Sequence, residues 1–149
     1  MGSRQGLDRD GVFVVVLTKA GVPITSVPES DKSDYLAMLV YIISNASTIP
    51  LYAPKIFNLR NKRLLLYLGA KILVGIVYRE HYYQKEKALE RMAEEIVTSV
   101  ERSIDDVGVI SNIHQEKVKA KILNFLRREG ISVVESEYFF RKIAGDMYR

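Results

Sequence analysis

The stretch GVFVVVLTKAGVPITSV, residues 11–27, decides the fold because it contains two strand signals joined by a turn. Residues 12–18 are aliphatic or aromatic almost without interruption, which is typical of a central strand that is covered on both faces. Lys19, Ala20 and Gly21 form a turn in which the glycine can adopt a positive φ. A second strand is predicted over 22–27. Pro23 has no N–H, so we expect it at the start of that strand and at an edge of the sheet.

The segment after this hairpin is predicted to be a helix that ends near residue 47. Ser30 or Asp31 can cap its first turn, and Pro50 and Pro54 prevent it from continuing. Apolar residues recur along it at helical spacing, which indicates one buried stripe. They are Tyr35, Leu36, Leu39, Val40, Ile43 and Ala46.

Three further strands are predicted over residues 55–59, 63–68 and 72–78. The polar turn 60–62 and the turn 69–71 separate them, so they form a meander. The last strand is apolar on both faces, as a central strand is, and we expect it to pair near the first strand.

The rest of the chain is predicted to be helical. Residues 82–103 form the most strongly amphipathic segment, and two more helices are expected over 114–129 and 137–147. Asn112 with Gln115 is a candidate capping box, and Gly130 is a candidate residue just beyond a helix end.

These elements predict an α+β fold: an antiparallel five-stranded sheet, in the order strand-strand-helix-strand-strand-strand-helix, with a helical C-terminal extension. A chain of 149 residues has room for one compact domain. We expect a flexible N-terminus over 1–10, the α+β domain over 11–104 and the helical extension over 105–149.

Composition narrows the class of protein without naming it. The net charge of +4 arises from 22 basic and 18 acidic residues that are interspersed, so it permits contact with nucleic acid or an anionic surface without requiring it. The lack of cysteine excludes disulfides and thiol chemistry. No apolar run is long enough to span a membrane, and none near the N-terminus suits a signal peptide, so we expect a cytoplasmic protein.

Three segments carry a family resemblance: GVFVVV at 11–16 followed by GVPI at 21–24, KIFNLRNKRLLL at 55–66, and residues 72–78. They resemble the roadblock/LC7 family, which belongs to the roadblock/longin superfamily with its profilin-like fold. The first is similar to the first hairpin of that family, the second occupies the place of its next strand, basic turn and strand, and the third that of its last strand. The chain departs from the family in having little sequence before Gly11 and about 45 residues after the domain. Longin domains are similar in fold and begin with the hairpin, so the subfamily stays open.

The resemblance implies a function in protein interaction. Roadblock proteins typically form homodimers by joining sheet edges and pairing the helix after the first hairpin, which makes a platform for Ras-like small GTPases or larger complexes. In this chain the implied interface residues are Tyr35, Leu39 and Ile43 in the helix, and Lys55, Phe57 and Leu59 in the following strand. The C-terminal helices can instead cover this interface or bind a partner, and the sequence leaves both alternatives open.

Chemistry of other kinds finds little support in the sequence. No phosphate-binding loop of the form Gly-x-x-x-x-Gly-Lys-Ser/Thr is present, and the segment 69–75 has glycines at the wrong spacing. His81 and His114 have no partner nucleophile and no second ligand at metal-binding spacing. We therefore predict no catalytic residue, cofactor or metal site, and an interaction protein that is not an enzyme.

Basic residues suggest two further surfaces. Arg60, Lys62 and Arg63 are candidates for contact with an anion or an acidic partner, although a solvated turn explains them as well. The basic residues of the C-terminal helices suggest a nucleic-acid-binding regulator that uses a helix pair around Gly130. Acidic residues in the same segment nearly cancel that charge.

Overall fold

A computed structural model describes residues 7–8, 11–29, 33–103 and 112–134 of the chain. The strands are β1 (Leu7–Asp8), β2 (Phe13–Thr18), β3 (Pro23–Val27), β4 (Pro54–Asn58), β5 (Lys62–Leu68), β6 (Ile72–Arg79) and β7 (Val133–Val134). The helices are α1 (Ser33–Ala46), a 3-10 helix (Glu80–Lys85), α2 (Glu86–Ser103) and α3 (Asn112–Arg128). The predicted α+β class and the order of its elements are confirmed.

The main sheet has five antiparallel strands in the order β3-β2-β6-β5-β4. The predicted pairing of the strand over 72–78 with the first strand is confirmed, because β6 pairs with β2 along its length. β3 begins at Pro23 and lies at one edge of the sheet, as predicted. An edge strand tolerates proline, because the missing N–H can lie on the side that has no neighbouring strand. Gly21 has a φ of 94° in the β2–β3 turn, as a positive-φ turn position requires.

Both faces of the sheet are covered by helices, which explains the continuous apolar runs in β2 and β6. Val14 and Val16 point to the face covered by α2 and α3, whereas Phe13, Val15 and Leu17 point to the face covered by α1. Successive residues of a strand alternate between faces, so each face receives half of every strand. In the described part of the chain the result is three layers, with α1 on one face of the sheet and α2 and α3 on the other.

The helix α3 is part of the core and does not extend away from it. Val118, Ile122, Phe125 and Leu126 are buried in the same cluster as the inward residues of α2, and α3 packs on α2 and β3. The predicted helix end at Gly130 is confirmed: its φ is 68°, and the N–H groups of residues 130 and 131 donate to the carbonyls of residues 127 and 126 at 3.2 and 2.9 Å. This is the Schellman arrangement that glycine favours.

The chain next to α3 forms a short strand that joins the two ends of the described chain. β7 pairs in parallel with β1, a strand inside the stretch that was expected to be flexible. Val12 donates its N–H to Ser132 at 2.8 Å and accepts from the N–H of Val134 at 2.9 Å. A Cβ at Gly11 would fall inside the backbone of residues 132–134, so only glycine lets β7 approach this closely.

The predicted helix over 82–103 begins differently from the prediction. Residues 80–85 wind as a 3-10 helix, and the α-helix starts at Glu86. Tyr82 is buried within the 3-10 helix and its hydroxyl accepts the N–H of Ser132 at 3.0 Å, a contact with distant chain that helical periodicity does not reveal. The predicted caps Ser30 and Asp31 and the predicted helix over 137–147 lie outside the described residues.

Candidate protein-interaction site

The outward side of α1 carries exposed apolar side chains. Leu36, Ala37 and Val40 are buried against the sheet, where α1 packs on β2 and β3. On the opposite side Met38 and Ile42 are 60% and 53% exposed. They are four residues apart, so they lie next to each other on the helix surface. This pair is called the α1 ridge below.

The strand β4 is the open edge of the main sheet. Among the strands that the structure describes it pairs with β5 alone, and Lys55 is exposed while Phe57 is half-buried on the α1 side. The other edge strand, β3, is buried over residues 24–27 because α1 and α3 both pack on it. Pro54 and Lys55 are residue types that limit uncontrolled pairing at an edge. Within the described ranges, β4 is the more exposed of the two edges.

A cavity of about 230 Å³ lies between α1 and the β4–β5 end of the sheet. Its floor is a row across three strands, since Phe13 pairs with Val77 and Val77 with Leu64. Its rim lies at the turn between β4 and β5, where Leu59 and Arg60 are exposed. The lining residues are Phe13, Leu36, Leu39, Val40, Ile43, Leu59, Arg60, Lys62, Leu64 and Val77.

The structure brings together part of the predicted interface. Leu39, Ile43 and Leu59 line this one cavity, and Lys55 and Phe57 point to the same face from β4, opposite Leu66 and Leu64 of β5. Tyr35 belongs to α1, but its side chain is outside the described part of the chain.

Sequence reasoning missed the α1 ridge. Met38 and Ile42 fall outside the stripe that periodicity assigns to the core. The available signal was that apolar residues occupy more of the helix circumference than one buried face needs.

The three basic residues of the predicted anion-binding group do not form one cluster. Arg60 is exposed at the turn, whereas Lys62 is only 2% exposed and its ammonium group donates to the side chain of Asn61 at 2.9 Å. Arg63 points to the opposite face from Lys62, because neighbours in a strand alternate. Its guanidinium donates to Glu86 at 2.8 Å and lies 3.9 Å from the ring centre of Tyr83.

Glu86 organises this second, structural cluster. One of its carboxylate oxygens accepts both from Arg63 and from the hydroxyl of Tyr78 at 2.6 Å. Burial, and then the hydrogen bond to Glu86, raise the pKa of Tyr78 far above its usual value. The hydrogen bond from Arg63 to Glu86 also raises the pKa of Arg63. Both groups therefore keep their protons at neutral pH, and the cluster fastens β5 and β6 to the start of α2.

The backbone N–H groups at the turn 69–71 bind a carboxylate of the protein itself. Glu101 of α2 accepts the backbone N–H groups of Lys71 and Ile72, and its other oxygen accepts from Tyr52 at 2.8 Å. A Cβ at Gly69 would lie 2.5 Å from a methyl group of Val97 and 2.6 Å from this carboxylate, so glycine favours the close approach of α2. The donors of this turn serve the fold.

The structure describes the side chain of one of the two histidines. His81 is exposed and lies edge-on to the ring of Tyr82, with 4.6 Å between ring centres. The side chain of His114 is outside the described residues. In the part of the chain that the structure describes, no group of three or more His, Cys, Asp or Glu side chains is placed to hold a metal ion.

The helix α3 carries the basic surface of the alternative function. It contains five basic residues and one acidic residue. Lys119 pairs with Glu29 at 3.2 Å, while Lys117, Lys121 and Arg127 are exposed. The chain after Gly130 continues into β7, so a helix does not follow this turn directly, as a helix-turn-helix unit would require.

Comparisons with known proteins add no family to these observations. No protein-family model matches the chain, and no curated protein is significantly similar to it. Within the described ranges, no helix combines the length and apolar composition that crossing a bilayer requires. The similarity to the roadblock family therefore stays a prediction from the sequence.

Proposed function

We propose that this chain is a non-enzymatic interaction module that forms a homodimer and serves as a platform for a Ras-like small GTPase or a larger complex. One observation carries the proposal: the α1 ridge and the open β4 edge lie on the side of the sheet that α3 leaves uncovered. In the described chain, α3 contributes to the other face.

Two neighbouring features of this surface favour self-association. An open edge strand presents backbone N–H and C=O groups that another strand can satisfy. An adjacent apolar helix face supplies burial that isolated exposed apolar residues do not. A two-fold interface that uses each feature twice closes on itself, and this closure limits assembly to a dimer.

The test is the native molar mass of the full chain, measured by light scattering across a dilution series. We expect a dimer for the wild type and a monomer for Ile42→Glu, because a charge on the α1 ridge would be buried unpaired. Val22→Glu is the matched control, since Val22 is 59% exposed on the β2–β3 turn and we expect this variant to stay dimeric. A monomeric wild type, or a dimeric Ile42→Glu, would contradict the interface.

The GTPase partner is tested separately. The wild type and Ile42→Glu are compared as baits for Ras-like GTPases from the source organism, loaded with either nucleotide. A partner that binds the platform should prefer one nucleotide state and should bind the dimeric protein more tightly. If none binds in either state, the dimer stands and the GTPase part of the proposal falls.

The basic surface of α3 supports a second candidate function, binding of nucleic acid. Such binding should weaken steeply with salt, because each neutralised phosphate releases a counterion. Replacing Lys117 and Lys121 by glutamine should lower the slope of log K against log salt by about 2. Fluorescence anisotropy with duplex and single-stranded DNA measures this slope, and lack of binding at low salt would exclude the alternative.

A further inference from the structure

The phase of hydrogen bonding between β4 and β5 shows which backbone groups of β4 face away from β5. The N–H of Leu59 donates to the carbonyl of Lys62 at 2.9 Å, which makes these residues a hydrogen-bonded pair of the antiparallel ladder. Such pairs alternate along a ladder, so every second residue of β4 counted from Leu59 directs its N–H and C=O toward β5. The residues between them direct these groups outward, and they are Pro54, Ile56 and Asn58.

This outer side of β4 offers a short row of hydrogen-bonding groups. Pro54 has a carbonyl but no N–H, and Arg60 already belongs to the turn after the strand. Ile56 and Asn58 each provide one N–H and one C=O. Among the described strands, β5 is the neighbour of β4, and it lies on the other side. A partner strand therefore finds complete pairs of donor and acceptor at Ile56 and Asn58.

We propose that Pro54 sets the register in which β4 pairs with β4 of a second copy, and that this register is centred on Phe57; it rests on the homodimer proposed above. A two-fold axis perpendicular to the sheet makes the two β4 strands antiparallel and leaves both α1 helices on the same face. Ile56 then faces the partner's Asn58, and Asn58 faces the partner's Ile56. Each of their N–H groups meets a carbonyl, and each carbonyl meets an N–H.

The neighbouring register, centred on Ile56, is the one that Pro54 disfavours. It places Pro54 opposite the partner's Asn58, so the carbonyl of each Asn58 faces a proline ring where an N–H is needed. A backbone acceptor without a donor inside a strand interface is costly, and proline is confined to places where no ladder bond is required. The register centred on Phe57 instead places Pro54 opposite the partner's Arg60, beyond the end of the strand.

Side chains on the α1 side of β4 fit the register centred on Phe57. The two Phe57 residues lie directly opposite each other at the axis, where β carbons are about 4.5–5.5 Å apart. Both rings are half-buried in the single copy, and aromatic cross-strand pairs stabilise antiparallel strands. The exposed Lys55 faces the partner's Leu59 and not the partner's Lys55, so like charges stay apart.

Disulfide formation measures the register directly, because the chain has no cysteine of its own. A disulfide needs Cα atoms within about 7 Å of each other. We expect Phe57→Cys to cross-link under mild oxidation. Lys55→Cys and Leu59→Cys should each fail to cross-link alone, since the equivalent Cα atoms lie about 14 Å apart along the strands. A mixture of these two variants, left to exchange subunits, should cross-link, and it tests the register without altering Phe57.

The role of Pro54 is tested by Pro54→Ala. Alanine restores the N–H, so the register centred on Ile56 gains two hydrogen bonds in each dimer. We expect Pro54→Ala to lower the cross-linking of Phe57→Cys at least about threefold and to let Ile56→Cys cross-link, which it should not do beside Pro54. Pro50→Ala is the matched control: Pro50 is exposed and precedes β4, so this change should leave both cross-links as they are.

Light scattering of the reduced proteins separates the register from the dimer itself. If the variants are dimers and neither Phe57→Cys nor the mixture cross-links, the register centred on Phe57 is refuted while the dimer stands. If Pro54→Ala leaves the cross-links unchanged, the role of Pro54 is refuted. A monomeric wild type would refute the dimer and the register together.

Discussion

Replacing Ile122 by alanine tests whether α3 belongs to the core or only extends from it. Ile122 is fully buried, and it lies in the cluster that α2 and α3 form over the sheet. Deleting a buried isoleucine side chain to alanine costs about 2–5 kcal/mol through lost burial and the cavity left behind. We expect about 3 kcal/mol, because the site lies between two helices and a sheet and cannot collapse freely.

The assay is equilibrium unfolding in urea, followed by circular dichroism. With an m-value of about 2 kcal/mol per molar for a domain of this size, a loss of 3 kcal/mol lowers the midpoint by about 1.5 M. This is a large part of the 5–15 kcal/mol that stabilises a typical domain. For the same reason, a chain that ends near Ser103 should aggregate or unfold, because Val118, Phe125 and Leu126 are lost with Ile122.

The control is Lys121→Ala on the neighbouring, exposed position of the same helix. Lysine and alanine are both good helix formers, so this change should alter the free energy of unfolding by no more than about 0.5 kcal/mol. If Ile122→Ala were as mild as Lys121→Ala, then α3 would not be packed in the core, and the reasoning about its burial would be refuted.

Three further outcomes are expected in the same unfolding assay. Gly11→Ala should lower the free energy of unfolding by more than about 2 kcal/mol, because its Cβ meets the backbone of β7. Gly130→Ala has open space around its Cβ and should lower it by only about 1 kcal/mol, because of its positive φ. Equal losses would contradict the close approach at Gly11. Glu101→Ala should lower the free energy of unfolding by about 1–2 kcal/mol, since the N–H groups of Lys71 and Ile72 lose their acceptor. An unchanged midpoint would show that water replaces the carboxylate. Tyr78 has a raised pKa when folded, so its stabilisation is complete below the usual value of 10.0 and falls by up to about 1.4 kcal/mol per pH unit above it. Tyr78→Phe should reduce this dependence, and identical alkaline profiles of the two proteins would refute the coupling.

The positions of most strands and helices follow from local patterns. The predicted strand over 55–59 is observed at Pro54–Asn58, and that over 63–68 at Lys62–Leu68. Side-chain alternation and turn residues act over a few neighbours, so they are legible without the fold. The 3-10 helix before α2 is not legible from the sequence in this way. Its buried Tyr82 is hydrogen-bonded to Ser132, which is distant in the chain.

The candidate site was predictable in location but not in composition. The apolar stripe of α1 pointed to Leu39 and Ile43, which do line the cavity with Leu59. The burial of Lys62 and the pairing of Arg63 with Glu86 were not visible, because a run of basic residues looks the same whether its members share a surface or alternate between faces.

The sequence by itself determined the class of fold and the order of its elements, because binary patterning and turn chemistry are local and each strand carries its own signal. Only the tertiary structure decided that α3 packs on β3 and that β7 joins β1 beside Gly11. It alone showed that Met38 and Ile42 are exposed on the outer side of α1. These contacts join residues that lie far apart in the chain, and their free energy depends on shape and burial that no local window of sequence contains.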